Sequence, residues 1–461
     1  MGATKQDIVD FKFIYSECLR IQENLSQGIF IDEFNKEYDG KFGSIGMIID
    51  VPENVYIRDR TKSYPQLKLS YKAYDKFLEI SRRQINSNRL ANHITLGELS
   101  AFLREEFYLL ILNNEVVDEN RSYSKLIDKA IKKSFKKMDA EIFYFPILAL
   151  GLEGDLNIGN AKICTKKSIF DRANILHEKY IIDNAISFCE SNKYAYDHFL
   201  KVIVTKRSNF LREKVAKNIA DFIMGILQLF SEHYGISHDF VSLSFNPQPK
   251  YDGFYFKEID GGNFDYNFSS RGRILWSNIF WGKFQEDFKS EIGNVLSTLI
   301  SIALDPSSER VIADRLIDSI YTFNSALNDK DEAFCIVKLT AAMERLVSLT
   351  SEKNSGITSR NFRNRVAALV AVYHGEFDKW INVSQEMYDL RSDIVHGNLS
   401  IYRTSESINR SVYSQLVAKA ILSGCIGFFN CGLTTPDKDE NLKKFYRGLE
   451  FHFGINDLDE L

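Results

Sequence analysis

The chain of 461 residues is too long for one ordinary hydrophobic core, so two or three domains are expected. Its 44% hydrophobic and 26% charged content excludes a disordered chain, and a formal net charge of −4 excludes a generally polycationic nucleic-acid binder, so any RNA or DNA contact must come from local patches. No apolar run is read as reaching the roughly 20 residues that cross a bilayer, "MGATKQDIVDFKF" lacks a signal-peptide pattern, and Gln6 breaks the myristoylation pattern suggested by Gly2. A cytoplasmic protein without membrane association is the expectation.

In chain order, helical periodicity marks 5–24, 71–84 and 122–138, and Thr95 with Glu98 in "TLGE" forms a capping box that starts a helix near 95. The stretch 121–139 sets Lys125, Lys129, Lys132, Lys133, Lys136 and Lys137 around an apolar stripe of Leu126, Ile127, Ala130, Ile131 and Phe135. The pattern then changes. Segments 140–152, 157–165, 198–206 and 240–247 are rich in Ile, Val, Phe and Tyr and bounded by Gly, Asn or Pro, which predicts strands, with helices at about 171–189 and 208–232 between them.

Closely spaced turn residues make 247–290 a transition region. Beyond it the chain reads as helices at 289–304, 307–327 (with serines placed to cap it), 331–350, 359–373, 377–397 and 407–430. Short connections between them predict an up-and-down bundle. The fold class expected is α+β: a mixed α/β N-terminal region, 1–285, divisible into two subdomains, followed by an all-α bundle, 286–461.

Six cysteines lie scattered in apolar segments without a C-x-x-C pair, the pattern of reduced, buried thiols. His233 and His238 form a close pair, but no cysteine or carboxylate cluster accompanies them. "GDLNIGNAK" lacks the lysine that a phosphate-binding loop needs directly after its second glycine, and no G-x-G-x-x-G follows a strand. No metal or other cofactor is expected.

The stretch "LRSDIVHGNLS", 390–400, places Arg391 and His396 in an R-x4-H spacing near the end of a helix. The spacing recurs at Arg172–His177 and Arg447–His452, so it must be judged by context. Val383, Met387, Leu390 and Ile394 fall on one face of the helix and should be buried. Arg391 borders that stripe, and His396 lies about 140° further round, too far for a tight intrahelical pair. Gly397 is placed to end the helix, where unpaired carbonyls favour a cation. A histidine at such an end needs no catalytic role by itself. Of the other two instances, Arg172–His177 lies in the mixed α/β half outside any bundle, and Arg447–His452 has Gly448 directly after the arginine, near the C-terminal tail, with no predicted helix around it.

The succession "AFCIVKLTAAMERLVSL", "NRVAALV", "LRSDIVHG" resembles the HEPN superfamily, and among its branches the Apea-like HEPN domains of prokaryotic anti-phage proteins, over roughly 290–435. The resemblance implies a dimerising helical bundle. In many such domains R-x4-6-H motifs from two protomers meet in one composite, metal-independent endoribonuclease cleft. It assigns Arg391 and His396 as catalytic, with Ser392, Asp393 and Asn398 as neighbours. Many members carry Asn, Asp or His directly after the arginine, where this chain has Ser392.

The chemistry suits these residue types. Metal-independent cleavage takes a proton from a 2′-OH, stabilises a phosphorane and protonates the departing 5′-oxygen. Histidine gives or takes a proton near neutrality, and arginine matches phosphate oxygens with a fixed planar fork. Glu344 in "AAMERL" is an acid on an otherwise apolar helix; it either orients a motif arginine or sits exposed. Arg360, Arg363 and Arg365 are candidates to hold an RNA backbone, and Tyr373, Trp380 and Tyr402 to stack on bases, with Trp380 by default in the core.

The function this implies is a homodimeric (or higher-order) ribonuclease effector of abortive infection, acting on RNA with tRNA among the candidates. The N-terminal region would sense a phage-derived trigger or regulatory partner. The alternative is a HEPN-like module that dimerises or binds RNA without cutting it, in a defence or toxin–antitoxin system. A toxin whose tyrosine two residues after the histidine is modified fits poorly, because Asn398 occupies that place.

Overall fold

The computed structural model describes residues 2–27, 48–49, 67–113, 119–149, 151–176, 179–190, 196–235, 251–259, 263–270, 278–307, 310–329, 331–352, 357–400, 408–432 and 439–455. The strand expected at 240–247, and His177, His238 and Tyr402, lie outside them. The molecule is α+β, mostly helical with a small sheet. It divides into two compact units, Met1–Glu141 with Thr205–Lys214, and Ile142–Val204 with Val215–Leu461.

In the first unit α1 (Lys5–Ser26), α2 (Tyr71–Ser87), α3 (Leu96–Leu112) and α4 (Glu119–Lys136) surround an aromatic core; the short strands β1 (Ile48–Ile49) and β2 (Leu67–Lys68) pair antiparallel. Phe11 stacks on Tyr123 at 4.9 Å between centroids, and Phe77 meets Phe107 edge-on at 5.4 Å. Helix α2 starts where the Ser70 hydroxyl accepts from Ala73 N–H, and α3 where Thr95 and Glu98 form the predicted capping box. Asp7 and Asp10, both buried, are held by Arg83, whose Nε donates to Asp7 at 2.8 Å and whose Nη2 donates to Asp10 at 2.5 Å. The stripe predicted on α4 is buried at Leu126, Ile127, Ala130 and Ile131, while Phe135 stays exposed.

The second unit holds a four-stranded sheet of order β3-β6-β5-β4, from β3 (Glu141–Ile147, its first residue counted in the first unit), β4 (Leu156–Ile158), β5 (Ala161–Thr165) and β6 (His198–Val204). The segment 157–165 is thus not one strand but a hairpin, Ile158 opposite Ala161, closed by Gly159 at φ 55°. Strand β3 neighbours β6, not β4. Residues alternate across β6: Leu200, Val202 and Val204 enter the main core, and Phe199 joins Tyr196 and Cys189 beneath α5 (Lys166–Leu176) and α6 (Lys179–Glu190). Two helices therefore replace the single one expected at 171–189.

Helix α7 (Asn209–His233) leads to a hairpin of β7 (Tyr251–Ile259) and β8 (Asn263–Ser270), then α8 (Asn278–Asp287). These three elements occupy what the sequence suggested was only a transition. The bundle follows as α9 (Glu291–Leu304), α10 (Val311–Leu327), α11 (Glu332–Val347), α12 (Ser359–His374), α13 (Phe377–His396), α14 (Arg410–Asn430) and α15 (Asp439–His452). Asp331 and Thr358 cap α11 and α12, accepting from Phe334 and Asn361 N–H. No serine caps α10, which starts after Arg310 without a side-chain cap.

Helix α10 packs on α11, α12 on α13, and α14 against α9 to α13. Helix α14 is long and apolar enough to cross a membrane by length and composition, contrary to expectation, but 67% of its apolar stretch is buried. The division expected at 285/286 falls inside the second unit. Ile163 and Val202 of the sheet, Ile223 of α7 and Leu299, Met343 and Ile421 of the bundle belong to one continuous core, so chain cut at 285 would split it.

Candidate active site at the end of helix α13

Helix α13 begins directly after Glu376, in the left-handed region at φ 55°, and ends at Gly397, φ 77°, whose N–H donates to Ile394 O. Its inner face carries Trp380, Ser384, Met387 and Ile394, with Val383 and Leu390 partly buried against the same core, as the periodicity predicts. Arg391 and Ser392 sit at the edge of this face, half-buried, and His396 is exposed in the last turn.

Arg391 is turned toward α11. Its Nη2 lies 3.6 Å from Glu344 Oε1, and the two side chains keep about a quarter of their surface in solvent. Burial pushes the Glu344 carboxyl up from its ordinary value, and the Arg391 charge opposes that push without overcoming it. Of the two sequence readings of Glu344, the geometry is that of an acid beside the motif arginine. Asp393 and Asn398 tie the turn that follows: Asn398 Nδ2 donates to Asp393 Oδ1 at 3.2 Å, and Leu399 N–H donates to Asp393 O at 3.0 Å.

No family model, curated protein or solved structure matches this chain.

The three arginines of α12 separate. Arg360 is exposed at the first turn, and Arg363 donates from Nη1 to Gln385 Oε1 of α13 at 3.1 Å. Arg365 is not a phosphate-holding residue. It is 6% exposed, donates to both Glu352 oxygens at 2.9 and 2.8 Å and to Val347 O at 3.0 Å, and lies 5.5 Å from the Tyr446 ring centroid. The helical period placed it on the inner face, and the acid that satisfies it sits 13 residues earlier. Trp380 is in the core as expected, and Tyr373 is exposed.

The other R-x4-H stretches resolve differently. Arg447 and His452 do have a helical frame, α15, contrary to expectation, and both are exposed. Arg172 lies on α5, and its histidine is outside the described residues. What sets Arg391 apart from Arg447 is the acid from a neighbouring helix. Five cysteines are buried and Cys431 is half-buried, and among the described residues no group of three or more His, Cys, Asp or Glu side chains converges as metal ligands do.

A second polar cluster, not foreseen, joins the ends of α7 and α12. The His233 and His374 rings lie 5.8 Å apart. Burial, then the nearby Lys419 of α14, push both imidazoles down, His374 to about 4. Its members lie 141 and 45 residues apart in sequence, so no spacing could have flagged it.

Proposed function

We propose that the chain is a metal-independent endoribonuclease of the HEPN type, an effector of abortive infection whose composite site forms where two α13 helices meet in a homodimer. The observation that carries this reading is the Arg391–Glu344 pair beside an exposed, helix-terminal His396. Glu344 orients the guanidinium and leaves part of its fork for a phosphate, where it stabilises the equatorial oxygens of the phosphorane. His396 moves the proton between the 2′-OH and the departing 5′-oxygen. Their separation around α13 supports a cleft built from two copies, since a two-fold axis brings the same surface together twice. Cleavage by 2′-OH attack leaves a 2′,3′-cyclic phosphate and a 5′-hydroxyl.

The test is incubation of purified protein with tRNA and with total RNA in EDTA, followed by end analysis. Cyclic-phosphate ends in EDTA, and a loss of at least about a hundredfold in both Arg391→Ala and His396→Ala, are expected. Cleavage abolished by EDTA, or surviving in both variants, refutes the mechanism. Protein that binds RNA without cutting it would instead be the non-cleaving module.

A further inference from the structure

Helix α4 carries four of its five lysines in a single stripe. At about 100° per residue, Lys125, Lys129, Lys132 and Lys136 fall within about 60° of arc and extend about 16 Å along the axis. All four are exposed. The opposite face, with Tyr123, Leu126, Ile127, Ala130 and Ile131, is buried in the core of the first unit, which fixes the stripe outward.

Charge pairing is uneven around the helix, and Lys129 within the stripe is not free. Lys133, rotated away from it, pairs with Glu105 at 2.6 Å and Glu106 at 3.3 Å. Among the described residues no carboxylate pairs with Lys125, Lys132 or Lys136. A solvated helix face normally intersperses both signs, and like charges at i, i+4 weaken a helix. This stripe keeps one sign along three turns in a chain whose net charge is −4.

We propose that the α4 stripe is an RNA-contacting surface separate from the α13 site, binding the phosphate backbone without reading sequence. The choice of RNA over DNA rests on the ribonuclease reading. Lysines act on phosphates as point charges, so a row of them suits a flexible backbone that can adjust to it. A membrane-lying helix would have to insert its apolar face, and that face is already committed to the core.

The test uses the full chain and a fluorescent 20-nucleotide 2′-O-methyl oligouridylate, which lacks the hydroxyl nucleophile, so binding is measured without cleavage. Wild type, Lys125→Gln/Lys132→Gln/Lys136→Gln, and the same three positions changed to Arg are titrated from 50 to 200 mM salt. A control, Lys167→Gln/Lys179→Gln/Lys217→Gln, removes equal charge from exposed lysines elsewhere. Each single-strand phosphate contact contributes about 0.7 to the salt slope, so the glutamine variant should lose about 2. Its affinity should fall about a hundredfold at 50 mM and about sixfold at 200 mM. The arginine variant and the control should keep the wild-type slope.

An unchanged slope in the glutamine variant, an equal drop in the control, or a wild type that does not bind overturns the proposal. So does a glutamine variant that loses only its adsorption to vesicles containing phosphatidylserine. Failure of the ribonuclease reading shows instead with unmodified RNA, as intact ends.

Discussion

Replacing Arg365 by methionine tests whether this arginine is interior structure, as its contacts dictate. Three hydrogen bonds of 2.8 to 3.0 Å end on Glu352 and on Val347 O, and hydrogen bonds to charged groups contribute roughly 1.5–3 kcal/mol each. Removing one partner of a buried pair costs about 3–5 kcal/mol. The Glu352 side chain keeps 16% exposure, so water recovers part of the loss and about 3 kcal/mol is expected. Trp281 and Trp380 belong to the second unit and no tryptophan falls in the sequence ranges of the first, so tryptophan fluorescence during urea unfolding follows the second unit. With a slope of about 3 kcal/mol per molar, the midpoint should fall by about 1 M.

Acid supplies an independent check. Burial pushes the Glu352 carboxyl up, but hydrogen bonds from Arg365 and the Leu349 N–H, with the Arg365 charge, hold it below its ordinary value. A depressed carboxyl adds stability above its unfolded pKa, about 4.3, and that stability is lost as pH falls through the lower folded value. The deficit of Arg365→Met should therefore shrink below about pH 4. A midpoint that Arg365→Met leaves in place, or that Arg360→Ala lowers as much, refutes the reasoning.

Three further outcomes follow from other contacts. Glu344→Gln should lower RNA cleavage about tenfold while leaving the fold as stable or up to about 1 kcal/mol more stable at pH 7, because burial raises its carboxyl despite Arg391; a matched loss of stability would contradict this. His374, held at about 4 by burial, Lys419 and His233, is neutral in the fold and takes up a proton more readily unfolded. Stability should be full above about 6.5 and fall toward pH 4, by about 1 kcal/mol after allowing for solvent screening. Asp287 and Lys283 face His233, and Lys379 and Glu376 act on Lys419, so imidazole NMR titration of Lys419→Met, which should raise the His374 value, isolates the cause. Gly225→Ala puts a Cβ 2.8 Å from Ile320 O where α7 crosses α10 and should cost about 2–3 kcal/mol, whereas Gly448→Ala on α15 meets nothing and should be neutral or slightly stabilising.

Elements with a strong period and a chemical cap were legible. The capping box of α3 and the buried stripe of α13 each follow from side chains within a few residues of one another. The sequence could not show which elements share a core, because Ile163 and Met343, 180 residues apart, join one core only once the chain has folded. The β7–β8 hairpin was hidden by its glycines and asparagines, which read as turns, although "YDGFYFKEI" is rich in aromatic residues and they alternate through "NFDYNFSS". The α15 helix was missed because Gly448 stands inside it.

The same contrast applies to the candidate site. Helical frame and exposure do not single out Arg391 and His396, since Arg447 and His452 on α15 have both. The difference is an acid on another helix, Glu344, 47 residues earlier, and a spacing rule confined to one helix cannot see it. What the sequence does carry is a carboxylate set among Ala342, Met343, Leu346 and Val347, the apolar residues that α11 buries. Such a group needs a partner or a solvent route, and the Arg391 guanidinium 3.6 Å away supplies the partner. For R-x4-H stretches in bundles generally, an acid on a neighbouring helix's apolar stripe should thus discriminate better than the spacing itself.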